Sequence, residues 1–451
     1  MNEFSRLQSV VTASAVALAA LSLFVSIADA NTDFYVSTKG NNQNPGTAAK
    51  PWRTIQKAAS SATPGSTVHV LAGSYPELVT IGVSGNATQG PIVFQGETGA
   101  ILDYAATPIT KEDFVAAFLI KNQSYVTIAG FEIRNYVAHD ANSTPVGILI
   151  QGAAQHIVIN HNLIHDIKNN INANSNAHGI AAYGSGHTEA TAIQNLLIEN
   201  NELHSLQLGA SEALVVNGNV DGFTIQANSV HDCNNIAIDA IGFEGTSIAP
   251  FDQARNGLIS KNHIQRIDSR GNPFYGNDRS ADGIYIDGGK LITIDGNTLS
   301  LCNIGIEVAS EHHGKVATNI TVSNNTITGC QTAGMSFGGY STNMGAVRDC
   351  VIKNNTLHGN DTDNNGNGEL MIQYLVQNNL FEHNVLSTTN QNIFISNAFK
   401  TSTGNTVDFN TYTSPGGPDD STWIWNNTEY DDFAAYQKAT GNDRHSTAES
   451  P

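Results

Sequence analysis

Asp239, Asp287 and Glu307 fall in three consecutive copies of a short strand-like segment, and together they could perform acid–base chemistry. The copies align on a Gly or small residue: VGILIQG, HGIAAYG, EALVVNG, IAIDAIG, DGIYIDG, IGIEVAS and AGMSFGG. Side chains alternate in and out along an extended strand. The outward pairs then read Leu149/Gln151, Ala181/Tyr183, Val215/Asn217, Asp239/Ile241, Tyr285/Asp287, Glu307/Ala309 and Ser336/Gly338. If the copies stack as parallel neighbours, Asp239 and Glu307 share one column of an exposed sheet face. Their Cα atoms are then about 9.5 Å apart, with Asp287 in the strand between. Like charges on neighbouring strands destabilise a sheet, so packing gives no reason to gather them. A crowded carboxyl keeps its proton to higher pH, as an acid catalyst must. The bland alternative is a solvated polar face, and the confinement of the acids to three turns weighs against it.

The flanking segments carry residues suited to holding a sugar. Asp282 precedes the middle strand, and the insertion Asp268 to Ala281 supplies Tyr275, Asp278 and Arg279. Glu311-His312-His313-Gly314-Lys315 follows the third strand, and Phe243-Glu244 follows the first. Planar stacking and multiple hydrogen bonds are what a saccharide needs. Tyr285, Tyr275, Arg279, Glu244, Glu311, His312, His313 and Lys315 are therefore the expected substrate contacts. A lone His is more often structural, whereas two beside Glu311 divide evenly between the readings. The same acids could instead hold Ca²⁺ through carboxylate oxygens, with Asp278, Asp282 and Asp287 as the ligands. No HExxH or CxxC spacing occurs.

Such a column needs a stack of parallel strands, and a repeat predicts one. Between Ile157 and Asn384 the phrase apolar–x–apolar, Asn, apolar–x–apolar recurs eight times, as in IVINHNLIHDI and ITIDGNTLSLC. The aligned residues are Asn162, Asn201, Asn228, Asn262, Asn297, Asn325, Asn355 and Asn379, separated by 24 (Asn355 to Asn379) to 39 (Asn162 to Asn201) residues. A constant core with variable insertions is the mark of a coil, here a parallel β-helix. Asn tolerates the unusual backbone angle of a corner, and its amide can bond the copies above and below. These Asn residues read as structural rather than as a ligand site.

The rest of the chain fits an exported, polar, strand-and-turn protein. Its 451 residues include 41 Gly, and only 14% are charged. Arg6, the apolar run Val10 to Ile27 and Ala28-Asp29-Ala30 predict a signal peptide over 1–30. Export without a membrane anchor follows. Residues 31–125 should form an N-terminal cap and the first coils, with a helical pattern from Trp52 to Ala62 plugging the open end. Residues 126–400 form the coil, and 401–451 a C-terminal extension with a short helix near Tyr430 to Ala439. Cys233, Cys302 and Cys330 each follow their Asn by five residues, in a slot held elsewhere by Ile167, Leu206 and Ile267. They read as packed thiols, although a Cys302–Cys330 bridge would fit the strand spacing. A formal charge of −19 argues against a nucleic-acid partner.

The opening FYVSTKGNNQNPGTAAKPWRTIQKAA…PGSTVHVLAGSYPE resembles the N-terminal segment of secreted right-handed parallel β-helix proteins of the pectate-lyase-like superfamily. It is most similar to family-nine polysaccharide lyases. With the Asn repeat, the resemblance spans most of residues 33–400. It implies an all-β, right-handed solenoid and an action on polysaccharide. For a family-nine lyase it further implies a Ca²⁺ site and a Lys base, for which Lys290 and Lys315 are the nearest candidates. The polygalacturonase pattern NTD, DD, GHG, RIK is absent from the coil.

The leading expectation is glycoside hydrolysis in an open groove, with no cofactor required and Asp239, Asp287 and Glu307 as the catalytic carboxyls. A Ca²⁺-dependent lyase is the alternative, and a non-catalytic glycan-binding surface protein is a third. The acidic balance favours a neutral or sparsely charged polymer, because a polyuronate meets like charge there.

Overall fold

In a parallel coil a residue and its counterpart one turn on share an environment, so apolar positions stack into continuous interior columns. The computed structural model describes residues 32–107, 113–389, 391–417 and 420–450, and the signal peptide expected at 1–30 lies outside them. Three parallel sheets run the length of a right-handed coil of about 13 turns. The interior is a single core of Ile, Val, Leu and Phe side chains. One sheet, reaching from Val79–Ile81 to Thr428–Tyr430, carries the candidate site. Its register aligns Val215 with Asp239, Asp239 with Tyr285, Tyr285 with Glu307 and Glu307 with Ser336, the columns expected from the segment alignment.

The recurring Gly of those segments has a steric cause. A Cβ on Gly283 would sit 2.7 Å from the Gly305 carbonyl oxygen, and one on Gly334 would sit 2.6 Å from that of Glu369. Backbone from the next turn occupies the space a side chain would need, so the strands stay closely stacked beneath the acids.

The Asn stack is a hydrogen-bonded ladder. In the Asn262 rung, Nδ2 donates to Asn297 Oδ1 at 3.0 Å and to the Ile225 carbonyl at 3.0 Å. Its Oδ1 accepts the Asn228 N–H at 3.0 Å and Asn228 Nδ2 at 3.1 Å. Two features differ from expectation. Asn379 is not a rung: Asn355 pairs with Asn384, which pairs with Asn410, whereas Asn379 pairs with Asn405. The phrase in that turn holds two Asn residues five apart, and the strand pairing Val351–Lys353 with Leu380–Glu382 selects the second. The left-handed backbone angle also falls one residue before the Asn, at His161, Asn200, Ala227 and Lys261 among others. Asn is therefore required for its amide, not for its backbone.

The ends also refine the expected boundaries. The plugging helix is short, Ile55–Ala59, capped by the Thr54 hydroxyl and burying Ile55, Ala58 and Ala59. The coil does not stop at residue 400, because Thr406–Asp408, Thr411–Thr413 and Thr422–Trp425 extend all three sheets. The helix Phe433–Thr440 then packs Tyr436 against the end, and buried Asp443 accepts from Asn410 Nδ2 to close the ladder. All four Cys residues are free and buried, so the packed-thiol reading holds and no Cys302–Cys330 bridge forms.

Candidate functional site

Strands Ile238–Ile241, Asp282–Asp287 and Ile304–Ala309 bring the three expected acids onto one face. That face is not open. Asp239 is 2% exposed, Asp282 2% and Asp287 3%. The insertion before the middle strand, the segment after the third and the loop after Ala333–Phe337 wall in a cavity of about 520 Å³, lined by Tyr275, Asp282, Tyr285, Glu307, Glu311 and Tyr340 among others. The expected open groove is here an acid-floored pocket.

Burial and crowding set the protonation of the cluster. Desolvation, then the charges of Glu212, Asp287 and Glu311, pushes Asp239 well above the usual carboxylate range. Asp282 is raised likewise by burial and by Glu307, and Asp287 by burial and Glu311. Burial takes Glu307 up to about 7 against hydrogen bonds from Ser336 and Asp282 that pull it down. Ser336 Oγ donates to Glu307 Oε1 at 3.0 Å, and Gln373 Nε2 approaches the same oxygen at 3.3 Å. Glu311 offers its backbone N–H to Asp287 Oδ1 at 2.8 Å and accepts from the Tyr285 hydroxyl at 3.3 Å.

The other expected contacts divide. Tyr275, Tyr285, Glu311 and Arg279 line the cavity. Arg279 is committed, however: its Nη1 lies 2.6 Å from both Asp363 oxygens and its Nε 3.6 Å from Asp268, so it ties two loops together. His312 Nε2 lies 2.9 Å from Glu244 Oε1 at the rim. His313 is exposed, and Lys315 places its ammonium 5.1 Å from the centroid of the Phe243 ring. Neither Lys315 nor Lys290, which sits on a different sheet, lines the cavity.

Of the three residues expected to hold calcium, Asp278 is exposed on the outer insertion, whereas Asp282 and Asp287 are buried. Among the described residues the convergent set is Glu244, Asp287 and His312, with ligand atoms within 4.8 Å of one another. An imidazole in that set suits a transition metal better than calcium, which prefers oxygen.

Sequence reasoning missed Glu212 and His178. Glu212 is buried and raised to about 8, first by desolvation. Burial lowers His178 to about 4. His178 Nδ1 lies 3.0 Å from the Glu212 carbonyl oxygen, and its Nε2 3.3 Å from the Tyr183 hydroxyl. The 3.6 Å approach of His178 to the Glu212 carboxyl is thus between neutral groups at pH 7, not an ion pair. The signal lay in the same alignment, at the leading position of HGIAAYG, EALVVNG and DGIYIDG, where His178, Glu212 and Asp282 stand.

The coil, its ladder and its end plug define a right-handed parallel β-helix protein, an architecture consistent with the pectate-lyase-like superfamily. Residues 34–241 match the family described as Pel9A-like, right handed beta helix region, and residues 147–352 match the right handed beta helix region. The chain is 37% identical over 419 residues to the uncharacterized protein YwoF of Bacillus subtilis (strain 168), covering 92% of this chain and 87% of that protein, and the two belong to one family. Among solved structures, the GH136 lacto-N-biosidase of Eubacterium ramulus aligns with a TM-score of 0.54 at 15% identity, over 84% of this chain and 67% of that one. The alginate lyase of Paenibacillus sp. str. FPU-7 aligns at 0.50 and 14% identity, over 71% of this chain and 95% of that one. At these identities the likeness is one of fold.

Proposed function

We propose that this protein is an exported glycoside hydrolase whose reaction takes place in the acid-floored cavity. The observation that carries the reading is the buried carboxyl cluster at the base of a cavity of about 520 Å³. Glu307, raised only to about 7 and lining the cavity, is the more readily ionised of the pair and is the carboxylate that activates water. Asp287, held protonated by burial and positioned by the Glu311 N–H, is the general acid. The protons retained by neighbouring carboxyls are what allow one member to ionise. Asp287 protonates the glycosidic oxygen as its bond to the anomeric carbon breaks. Water bonds that carbon while giving its proton to Glu307, leaving a new hemiacetal and a free hydroxyl. Adjacent-strand spacing with a two-residue offset separates the two Cα atoms by about 8 Å. Carboxyl groups at roughly that distance favour inversion. The names of the structural relatives, a lacto-N-biosidase and an alginate lyase, support a carbohydrate substrate.

Cation-assisted β-elimination is the second reading, favoured by the convergence of Glu244, Asp287 and His312. Product chemistry separates the two. A polysaccharide screen with and without chelator should yield new reducing ends that persist in chelator. Unsaturated products abolished by chelator would replace hydrolysis with elimination. Glycan binding with neither product would make the protein a non-catalytic binder.

A further inference from the structure

The cavity floor holds buried carboxyl oxygens that nothing in the chain satisfies. Asp282 lines the cavity, is almost wholly buried, and leaves its Oδ1 without a hydrogen-bond partner. Asp239, equally buried and electrostatically coupled to Asp282, has the same unpartnered Oδ1. Ser310, on the cavity wall, has an unpartnered hydroxyl. The basic side chains nearby are directed elsewhere: Arg279 Nη1 to Asp363, with its buried Nε left without a hydrogen-bond partner, His312 to Glu244, and Lys315 above Phe243. Buried acceptors without donors are costly and point to a ligand that brings them. A uronate brings more acceptors and a charge of the wrong sign. A hydroxyl brings one donor and no charge. An ammonium brings three donors, no acceptor and a positive charge.

We infer that the cavity takes a glycan unit bearing a free amino group, an amino sugar whose ammonium sits against Asp282 and Glu307, with Asp239 buried beside them. The cavity volume of about 520 Å³ is in the range of small-ligand sites, so a short stretch of chain fills it. The inference deepens the hydrolytic reading by naming its substrate class, and only the word substrate rests on that reading. Ligand selection by the acid floor stands without it.

The test uses the full chain with Asp287→Asn, which removes the general acid but leaves the proposed ammonium ligands. Calorimetric titration compares glucosamine and galactosamine oligomers, their N-acetylated forms and neutral hexose oligomers of equal length. The free amines should bind at least about tenfold tighter, with an advantage that shrinks as salt rises. Adding Asp282→Asn should reduce the preference to within about threefold. Adding Asp239→Asn instead gives a second variant if the first folds poorly by thermal melt. Equal or tighter binding of the N-acetylated or neutral oligomers would overturn the inference, as would a preference that survives both variants. Wild-type protein is then assayed for cleavage of the same oligomers. Preferred binding of free amines without new reducing ends would retain the amino-sugar inference and sink the hydrolytic reading. Cleavage of neutral or acetylated oligomers without an amine preference would do the reverse.

Discussion

The coil stacks buried polar side chains in two places, and the stacks have opposite character. Along the Asn corner every amide is answered by the turns on either side, at 2.9–3.1 Å between successive side chains. On the site sheet, Glu212, Asp239, Asp282, Asp287 and Glu307 are just as deep or nearly so, yet they repel one another and leave oxygens unpartnered. Both stacks exploit the same geometry, in which a residue meets its copy one strand away. An amide is donor and acceptor at once, so stacking satisfies it. A carboxylate is acceptor only, so stacking frustrates it until a proton, a cation or a ligand donor intervenes. A satisfied polar stack holds the fold together, whereas a frustrated one is poised for chemistry.

The largest expected consequence of that contrast is in activity. Glu307→Gln should lower kcat on a cleaved glycan by about 10³-fold. The thermal midpoint should hold or rise, because a repelling buried acid is gone. A Tm loss matching that of a ladder mutant would place Glu307 among structural residues. Asn297→Val should do the opposite, costing about 3 kcal/mol in urea unfolding by stranding the Asn262 donors and the Ile259 carbonyl. Activity per folded molecule should be unchanged, and a shift in product profile would break the comparison.

A smaller effect is the dependence of stability on pH. Glu307 and Glu212 are raised from 4.5 to about 7 and about 8, so the native state binds more protons than the unfolded chain across that window. Their contribution is therefore full below about pH 4.5 and is lost as pH rises toward 8. The urea midpoint should be higher at pH 5 than at pH 8, and Glu212→Gln should flatten the slope. A midpoint that rises with pH would contradict the assigned burial. Smallest of all, Arg279→Gln should loosen the two loops joined through Asp363, raising KM a few-fold with kcat within about twofold. A kcat loss as large as that of Glu307→Gln would make Arg279 a catalytic contact.

The repeat, the strand columns and the acid triplet were legible in the chain because a coil has one dominant rule, that equivalent residues stack. That rule put Asp239, Tyr285 and Glu307 in one column before any coordinate, and the register agrees. It misplaced one rung at Asn379, where two Asn residues five apart satisfy the same phrase and only strand pairing separates them. It also passed over Glu212, whose leading position lies outside the in–out alternation of the strand.

Insertion geometry was beyond the sequence. Loops of unequal length fold by contacts that no period encodes. Only the tertiary structure shows that they wall the acid face into a cavity, bind Arg279 to Asp363 and bring His312 to Glu244. The identity of the acids came from the chain, through the repeat. Their burial, and with it their raised proton affinity, came from loops distant in sequence, because desolvation depends on everything that excludes water and not on neighbours along the strand.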